Sequence, residues 1–237
     1  MTHKMLIING SPRANGNSSM IEAMIIDECK HFKFDIDIID VKNQSKIYFN
    51  GDSLRFQKNN MLEPEIEQIA KQLLHADSII LIAPVYLHHI PAAFKNLLEH
   101  VSSMAHCFAL HHKFFSTIVH SSTNGELQTS AYLEKIFAYM GATFIDRILY
   151  NDFKNHTWLN EQIQAILDKH NIAFNLGRYV AVPMQEKEFS QLKKVVEEEQ
   201  KRGLTSAKQK GWKILENYET YQKFIDDPNN RYANTYN

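Results

Sequence analysis

The sequence predicts an α/β fold: a doubly wound, five-stranded parallel sheet in the order 2-1-3-4-5, followed by a C-terminal helical extension. Three observations carry that prediction. Strand-like and helix-like segments alternate through residues 4–149, the pattern of a parallel sheet with helices on both faces. The segment Ser78-Ile79-Ile80-Leu81-Ile82-Ala83 is apolar almost throughout, as a strand covered on both sides must be. A run of small polar residues lies between the first strand and the first helix, where such sheets bind anions.

The elements follow in order. Residues 4–8 form a short apolar strand ending at Asn9-Gly10. Ile21, Ile25, Cys29 and Phe32 then recur at helical spacing. Residues 34–41 alternate apolar positions with Asp35, Asp37 and Asp40, as a strand near the sheet edge does. Residues 42–61 are polar and aperiodic and read as a long loop. A helix fits residues 64–76, with Ile66, Ile69, Ala70, Leu73 and Leu74 on one face. The strand 78–83 follows, and Pro91 then opens a helix whose apolar face is Phe94, Leu97, Leu98 and Val101. Residues 114–119 are the fourth strand. Leu133, Ile136, Phe137 and Met140 mark a helix closed by Gly141, and residues 142–149 are the fifth strand. This rhythm suits the flavodoxin-like strand order.

Beyond Tyr150 the pattern is purely helical. Leu159, Ile163, Ile166, Leu167 and Phe174 mark one helix; Phe189, Leu192 and Val196 a second; Leu204, Gly211, Ile214, Leu215, Tyr218 and Ile225 a third. Gly177 and Pro183 bracket a break, so the chain divides into a sheet domain, 1–182, and a helical extension, 183–237, whose tail from Asp227 is expected to fray. The stripe Phe189, Leu192, Val196, Trp212, Leu215 and Tyr218 must be buried. Two such helices rarely build a core of their own, so the extension is expected to organise an oligomer or close the active site, packing on a second subunit being the expected solution and docking in cis the alternative.

Composition narrows the function. The 237 residues are 44% hydrophobic with a formal net charge of -1, so no basic excess points to nucleic acid. No apolar run is long enough to span a membrane, and the N-terminus lacks a signal-peptide pattern, which makes the cytoplasm the expected location. Two cysteines, Cys29 and Cys107, are too few for a disulfide framework or a four-thiolate metal site and read as buried thiols. The histidine pairs His88-His89 and His111-His112 are adjacent, and adjacent side chains diverge on a strand or helix, so no metal site is expected. Glu197-Glu198-Glu199 reads as a solvated helix face.

The most informative segment is Asn9-Gly10-Ser11-Pro12-Arg13-Ala14-Asn15-Gly16-Asn17-Ser18-Ser19. Free N–H groups at a helix N-terminus, with the helix dipole, favour an anion there. Gly10 and Gly16 permit tight turns and close backbone approach. Ser11, Ser18 and Ser19 supply hydroxyls, Asn17 an amide, and Arg13 a partner for a phosphate oxygen. The bland alternative is an ordinary turn capped by Asn17 or Ser18. Neither a P-loop nor the Gly-x-Gly-x-x-Gly fingerprint is present, which favours a monophosphate over a pyrophosphate.

The sequence resembles the NADPH-dependent FMN reductase family. The matching segments are Ile7-Ile8-Asn9-Gly10-Ser11-Pro12-Arg13 with Gly16-Asn17-Ser18, and Ala83-Pro84-Val85-Tyr86 followed by Ile90-Pro91-Ala92-Ala93-Phe94-Lys95-Asn96, within residues 4–150. The resemblance implies that Ser11, Arg13, Gly16, Asn17, Ser18 and Ser19 hold the FMN phosphate. It implies that Pro84, Val85, Tyr86, Leu87 and His88 lie along the flavin ring. A third loop, His120-Ser121-Ser122-Thr123-Asn124-Gly125, follows the fourth strand. Its backbone N–H groups, with Ser121, Ser122, Asn124 and Gly125 as candidate contacts, suit the pyrimidine edge of the ring. Relatives often carry Gly-Gly where this chain has Asn124-Gly125, and each loop read alone is also compatible with a plain turn. Some family members bind an iron–sulfur cluster through cysteines after the second strand; residues 47–61 contain none, so no cluster is expected.

The expected function is therefore that of a flavoprotein oxidoreductase: hydride passes from NADPH or NADH through FMN to a small acceptor such as a quinone, an azo or nitro compound, or free flavin. The cofactor carries the chemistry, so no catalytic acid or base is assigned. The resemblance also implies a homodimer or homotetramer. Two alternatives stand beside this reading: an electron-transfer flavodoxin serving protein partners, and a flavin-free regulatory or binding protein on the same fold.

Overall fold

The structure is a computed structural model and describes residues 2–43, 48, 49, 51, 64–204, 207–231 and 233. Five parallel strands, β1 (Lys4–Asn9), β2 (Asp35–Asp40), β3 (Ser78–Pro84), β4 (Phe114–Ser121) and β5 (Thr143–Asn151), pair in the order β2-β1-β3-β4-β5, as the sequence predicts. β3 and β4 are buried along their whole length; β3 reads as an apolar run for that reason, whereas β4 also buries Ser116 and Thr117, whose hydroxyls pair with His170 and Ser130. The alternating β2 is one of the two edge strands and is exposed over half its length. Most of the loop expected over residues 42–61 lies outside the described residues; Val41–Asn43 forms a short 3-10 turn.

Helices cover both faces. α1 (Asn17–Phe32) and α5 (His156–Leu176) lie on one side, where Ile21, Ile25, Leu159 and Ile163 pack on Met5, Ile7, Ile80 and Ile82. α2 (Pro64–His75), α3 (Ala92–His100) and α4 (Glu126–Tyr139) lie on the other, with Leu73, Phe94 and Leu133 against Leu6, Ile8 and Leu81. Each strand thus sends alternate residues into two separate cores. Pro91 is the N-cap of α3, one position before the expected first turn. Cys29 and Cys107 are both buried free thiols, one in each core.

The extension departs from expectation. α6 (Pro183–Lys201), α7 (Ala207–Leu215) and α8 (Tyr221–Asp226) replace the two helices expected there. The break between α7 and α8 spans residues 216–220, and the Thr220 side chain caps α8 by accepting from the Lys223 amide. Lys193 on α6 donates to the carbonyls of Glu216 and Tyr218, satisfying the backbone that the break frees. The apolar stripe is not left for a second subunit. Phe189, Leu192, Val196, Trp212 and Leu215 are buried in cis with Phe108, Phe114, Tyr179, Tyr221 and Phe224, and Tyr218 packs against that cluster. The first part of the tail is tied down as well, against the expectation of fraying: Tyr218 Oη donates to Asp227 at 2.6 Å and Asn230 Nδ2 to the Phe224 carbonyl at 3.0 Å. Residues 232 and 234–237 lie outside the described residues.

His111 and His112 correct a second expectation. They sit in a turn, with His112 at φ 55°, so their rings converge instead of diverging, and Nδ1 approaches Nδ1 at 2.7 Å. His111 Nε2 lies 2.9 Å from the Ala233 carbonyl and His112 Nε2 2.8 Å from that of Ile225. Carbonyl oxygens only accept, so the two Nε2 contacts need a hydrogen each, and the Nδ1 contact requires a third. Burial lowers His111 to about 3 and lowers His112 as well, with Lys113 and Arg231 adding to the effect and Asp226 opposing it. The pair is therefore neutral at pH 7, and its two hydrogens serve two of the three contacts. Nitrogen-15 NMR at neutral pH should count two ring N–H groups in the pair; a count of three would contradict this arrangement.

Candidate active site

Three loops meet at the C-terminal ends of β1, β3 and β4, beside the point where the strand order reverses. That crevice is where open α/β sheets place their ligands.

The first loop joins β1 to α1. Gly10 donates its N–H to the Ile82 carbonyl at 2.8 Å, and a Cβ there would come within 2.1 Å of the Phe94 ring, so only glycine fits. Asn9 Oδ1 accepts from the Ser11 amide, and Ser11 Oγ accepts from the Arg13 amide at 3.2 Å, leaving the Ser11 proton free to donate. The N-cap of α1 is Gly16, not Asn17 or Ser18. It is extended, at φ −172° and ψ −174°, and no side chain among the described residues caps the helix. A Cβ on Gly16 would meet nothing within 4 Å among the described residues, and the first turn contains no acidic residue. The amides of Asn17, Ser18 and Ser19 thus open an uncapped helix start toward solvent. The Ser19 hydroxyl turns back to the Ala14 carbonyl at 2.9 Å, so this residue has only its amide to offer. Ser18 is buried, and its Oγ lies 2.7 Å from His120 Nε2.

The second loop is a tight hairpin that the sequence did not announce. Tyr86 and His89 exchange both backbone hydrogen bonds, at 2.8 and 3.0 Å. Leu87 and His88 occupy the left-handed region at φ 49° and 59°. That geometry usually calls for Asn-Gly, and it costs an ordinary side chain about 1 kcal/mol or more per residue. Leu87 is nevertheless 99% exposed, so no packing within the described residues offsets the strain. Such outliers cluster at ligand sites. The Arg13 guanidinium lies 5.7 Å from the Tyr86 ring centroid, bringing the first and second loops together.

The third loop rests on the second. Gly125, at φ 95°, lies so close that a Cβ would be 2.8 Å from Val85 Cγ1 and 3.1 Å from His88 Nδ1. Ser121 donates its hydroxyl to Glu126 Oε1 at 2.7 Å, while Ser122, Thr123 and Asn124 are exposed. Burial pushes the Glu126 carboxyl up, but hydrogen bonds from Ser121, its own amide and Asn151 outweigh it and hold the group below its ordinary range. Glu126 and His120 organise this region, and the sequence reading assigned neither a role. Their partners lie on other elements, and only the fold brings them together.

A cavity of about 820 Å³ lies at the opposite end of the sheet, lined by Lys4, Asp77, His111, Lys113 and Arg231 among others. It is at the N-terminal strand ends and shares no residue with the three loops.

The sequence profile of NADPH-dependent FMN reductases matches residues 3–156. The chain belongs to that family. The match begins at β1 and ends at the start of α5, so it contains all three loops and excludes the extension. Among curated relatives, an iron–sulfur flavoprotein of Archaeoglobus fulgidus is 21% identical over 140 residues, 58% of this chain and 64% of the relative. An iron–sulfur flavoprotein of Methanosarcina thermophila is 29% identical over 97 residues, 40% of this chain and 51% of the relative. The chain thus spans about half to two thirds of the length of these relatives. Among solved structures, the apo form of an NADH:FMN oxidoreductase superposes with a TM-score of 0.55 at 14% identity, covering 77% of this chain and 92% of its own; at that identity the likeness concerns the fold. The donor set fits the family's cofactor: an uncapped helix start without a first-turn carboxylate, flanked by Ser11 and Arg13, suits a phosphate monoester.

Proposed function

We propose that this chain is an FMN-dependent NAD(P)H oxidoreductase that reduces a small acceptor such as a quinone, an azo or nitro compound, or free flavin. The observation that carries the proposal is the uncapped start of α1, open beside a strained hairpin at the switch point of a family sheet. FMN, when bound, supplies hydride acceptance from a nicotinamide and electron release to the acceptor. The chain's own residues bind and orient. The amides of residues 17–19, with Ser11 and Arg13, hold the phosphate. Pro84 to His88 form one wall of the ring site, with Tyr86 fixed against Arg13. The backbone of Ser122 to Gly125, braced by Glu126, offers donors to the ring edge. No side chain is required to move a proton.

The curated relatives are iron–sulfur flavoproteins by name, and in this respect the chain is proposed to differ. An iron–sulfur cluster takes about four thiolates, whereas this sequence has two cysteines, buried in separate cores. Elemental analysis of purified protein should find iron only at trace level; stoichiometric iron would contradict this part of the proposal. A homodimer or homotetramer is also proposed, on the family resemblance alone, since the stripe of the extension is occupied in cis. Fluorescence titration of flavin-stripped protein tests the cofactor directly: FMN should bind far more tightly than riboflavin, and equal affinities would remove the phosphate role of the first loop.

A further inference from the structure

We infer that His120 is a positioning residue for the phosphate end of the cofactor and acts through Ser18, which it orients to donate its hydroxyl proton to that phosphate. The inference rests on the FMN reading above and goes beyond it by assigning a residue with no direct access to the ligand.

The geometry is specific. His120 is the penultimate residue of β4, and Ser18 is the second residue of α1. They lie 102 positions apart in sequence, yet Ser18 Oγ and His120 Nε2 are 2.7 Å apart and both residues are buried. The His120 carbonyl accepts the Val85 N–H at 2.8 Å. One residue therefore pins the phosphate loop through its ring and the ring loop through its backbone. A serine hydroxyl has one proton and two lone pairs. If the imidazole accepts from Ser18, that proton is spent inside the protein. If Nε2–H donates, the proton is free to point out of the helix start, and the chain His120 to Ser18 to phosphate aligns its donors toward the negative charge. Hydrogen bonds aligned in this way strengthen one another, most where the final acceptor is ionised. Burial lowers His120 to about 4 despite Asp152 on the loop after β5, so the neutral ring carries one hydrogen, here assigned to Nε2. Among the described residues, Ser18 is the one hydroxyl of the loop held by another side chain: Ser11 meets a backbone amide and Ser19 a backbone carbonyl.

The test is the ratio of FMN to riboflavin affinity, read by fluorescence titration of flavin-stripped protein. Riboflavin lacks the phosphate and reports on the ring site alone. His120→Phe should cut the ratio about tenfold or more while leaving riboflavin affinity within about threefold. His120→Gln, whose amide nitrogen reaches about as far as Nε2 and can donate, should keep the ratio within about threefold. Ser18→Ala should cut it as much as His120→Phe, and the double variant should lose no more than either alone, because the two act as one unit. If His120→Phe does not fold, Ser18→Ala and His120→Gln still give opposite expectations. Equal losses of FMN and riboflavin in His120→Phe would overturn the inference, as would additive losses in the double variant or a His120→Gln variant no better than His120→Phe. Wild-type protein that binds neither flavin would overturn the cofactor reading as well. A normal wild-type preference for FMN that survives both His120→Phe and Ser18→Ala would overturn this inference alone.

Discussion

Trp212→Ala is expected to lower the unfolding free energy of the whole protein by about 3–5 kcal/mol, the range for removing a large aromatic side chain from a packed core. Trp212 is fully buried on α7, with its ring 5.1 Å from that of Phe189 and 6.4 Å from that of Phe108. Its Nε1 donates to the His106 carbonyl at 2.7 Å, across 106 residues of sequence. The substitution therefore opens a cavity and removes a donor from a carbonyl on the sheet side. Leu204→Ala, at a position 54% exposed, is the control and should cost less than about 0.5 kcal/mol. Urea denaturation followed by both far-ultraviolet circular dichroism and tryptophan-independent fluorescence should show a single shifted transition. A variant whose extension melts separately while the rest keeps its original midpoint would show that the two parts do not share a core.

The second large effect is acid lability, centred on His3 and His170. His3 Nε2 is 2.7 Å from Ser78 Oγ, and His170 Nε2 is 2.8 Å from Ser116 Oγ. The Nδ1 atom of each ring is buried with no hydrogen-bond partner among the described residues. A neutral imidazole tolerates that, because the unpartnered nitrogen can be the one without hydrogen; an imidazolium would bury a second, unsatisfied N–H and a charge. Burial lowers His3 to about 4, with Asp77 opposing, and lowers His170 to about 3, with His3 adding to the effect. The folded values lie below the unfolded value of 6.5, so the unfolded chain takes up protons first. Stability is therefore full above pH 6.5 and falls as pH drops toward 4 and 3. By pH 5 each imidazole costs about 2 kcal/mol. Denaturation at pH 7 and pH 5 should show at least that loss, since burial also lowers His120 to about 4 and His111 to about 3, and His170→Leu should remove about 2 kcal/mol of it. A pH-independent midpoint across this window would contradict the assignment of both rings as neutral.

The sequence made the sheet legible because central parallel strands need apolar residues on both sides, and segments such as Ser78–Ala83 have few other uses. The phosphate loop was legible from its local chemistry: glycines, hydroxyls and one arginine ahead of a helical period. What could not be read was anything fixed by distant partners. Leu87 and His88 carry no local signal for a left-handed hairpin; Gly125 and His120, from a different loop, lie against or bond to that hairpin. The break at residues 216–220, within the single helix expected over 204–225, contains neither Gly nor Pro and is held by Lys193 from a neighbouring helix. The stripe of Trp212 and Phe189 revealed that burial was needed but not by what, since an amphipathic face looks the same whether its partner is in cis or in another subunit.

The central claim is that the three loops hold a flavin that NAD(P)H reduces. Anaerobic stopped-flow mixing of the FMN-loaded protein with NADPH or NADH tests it most directly. The account predicts that at least one of the two bleaches the flavin absorbance in a saturable phase, and that adding a quinone restores it. A protein that binds FMN and is bleached by dithionite, but by neither nicotinamide at any concentration, would contradict it.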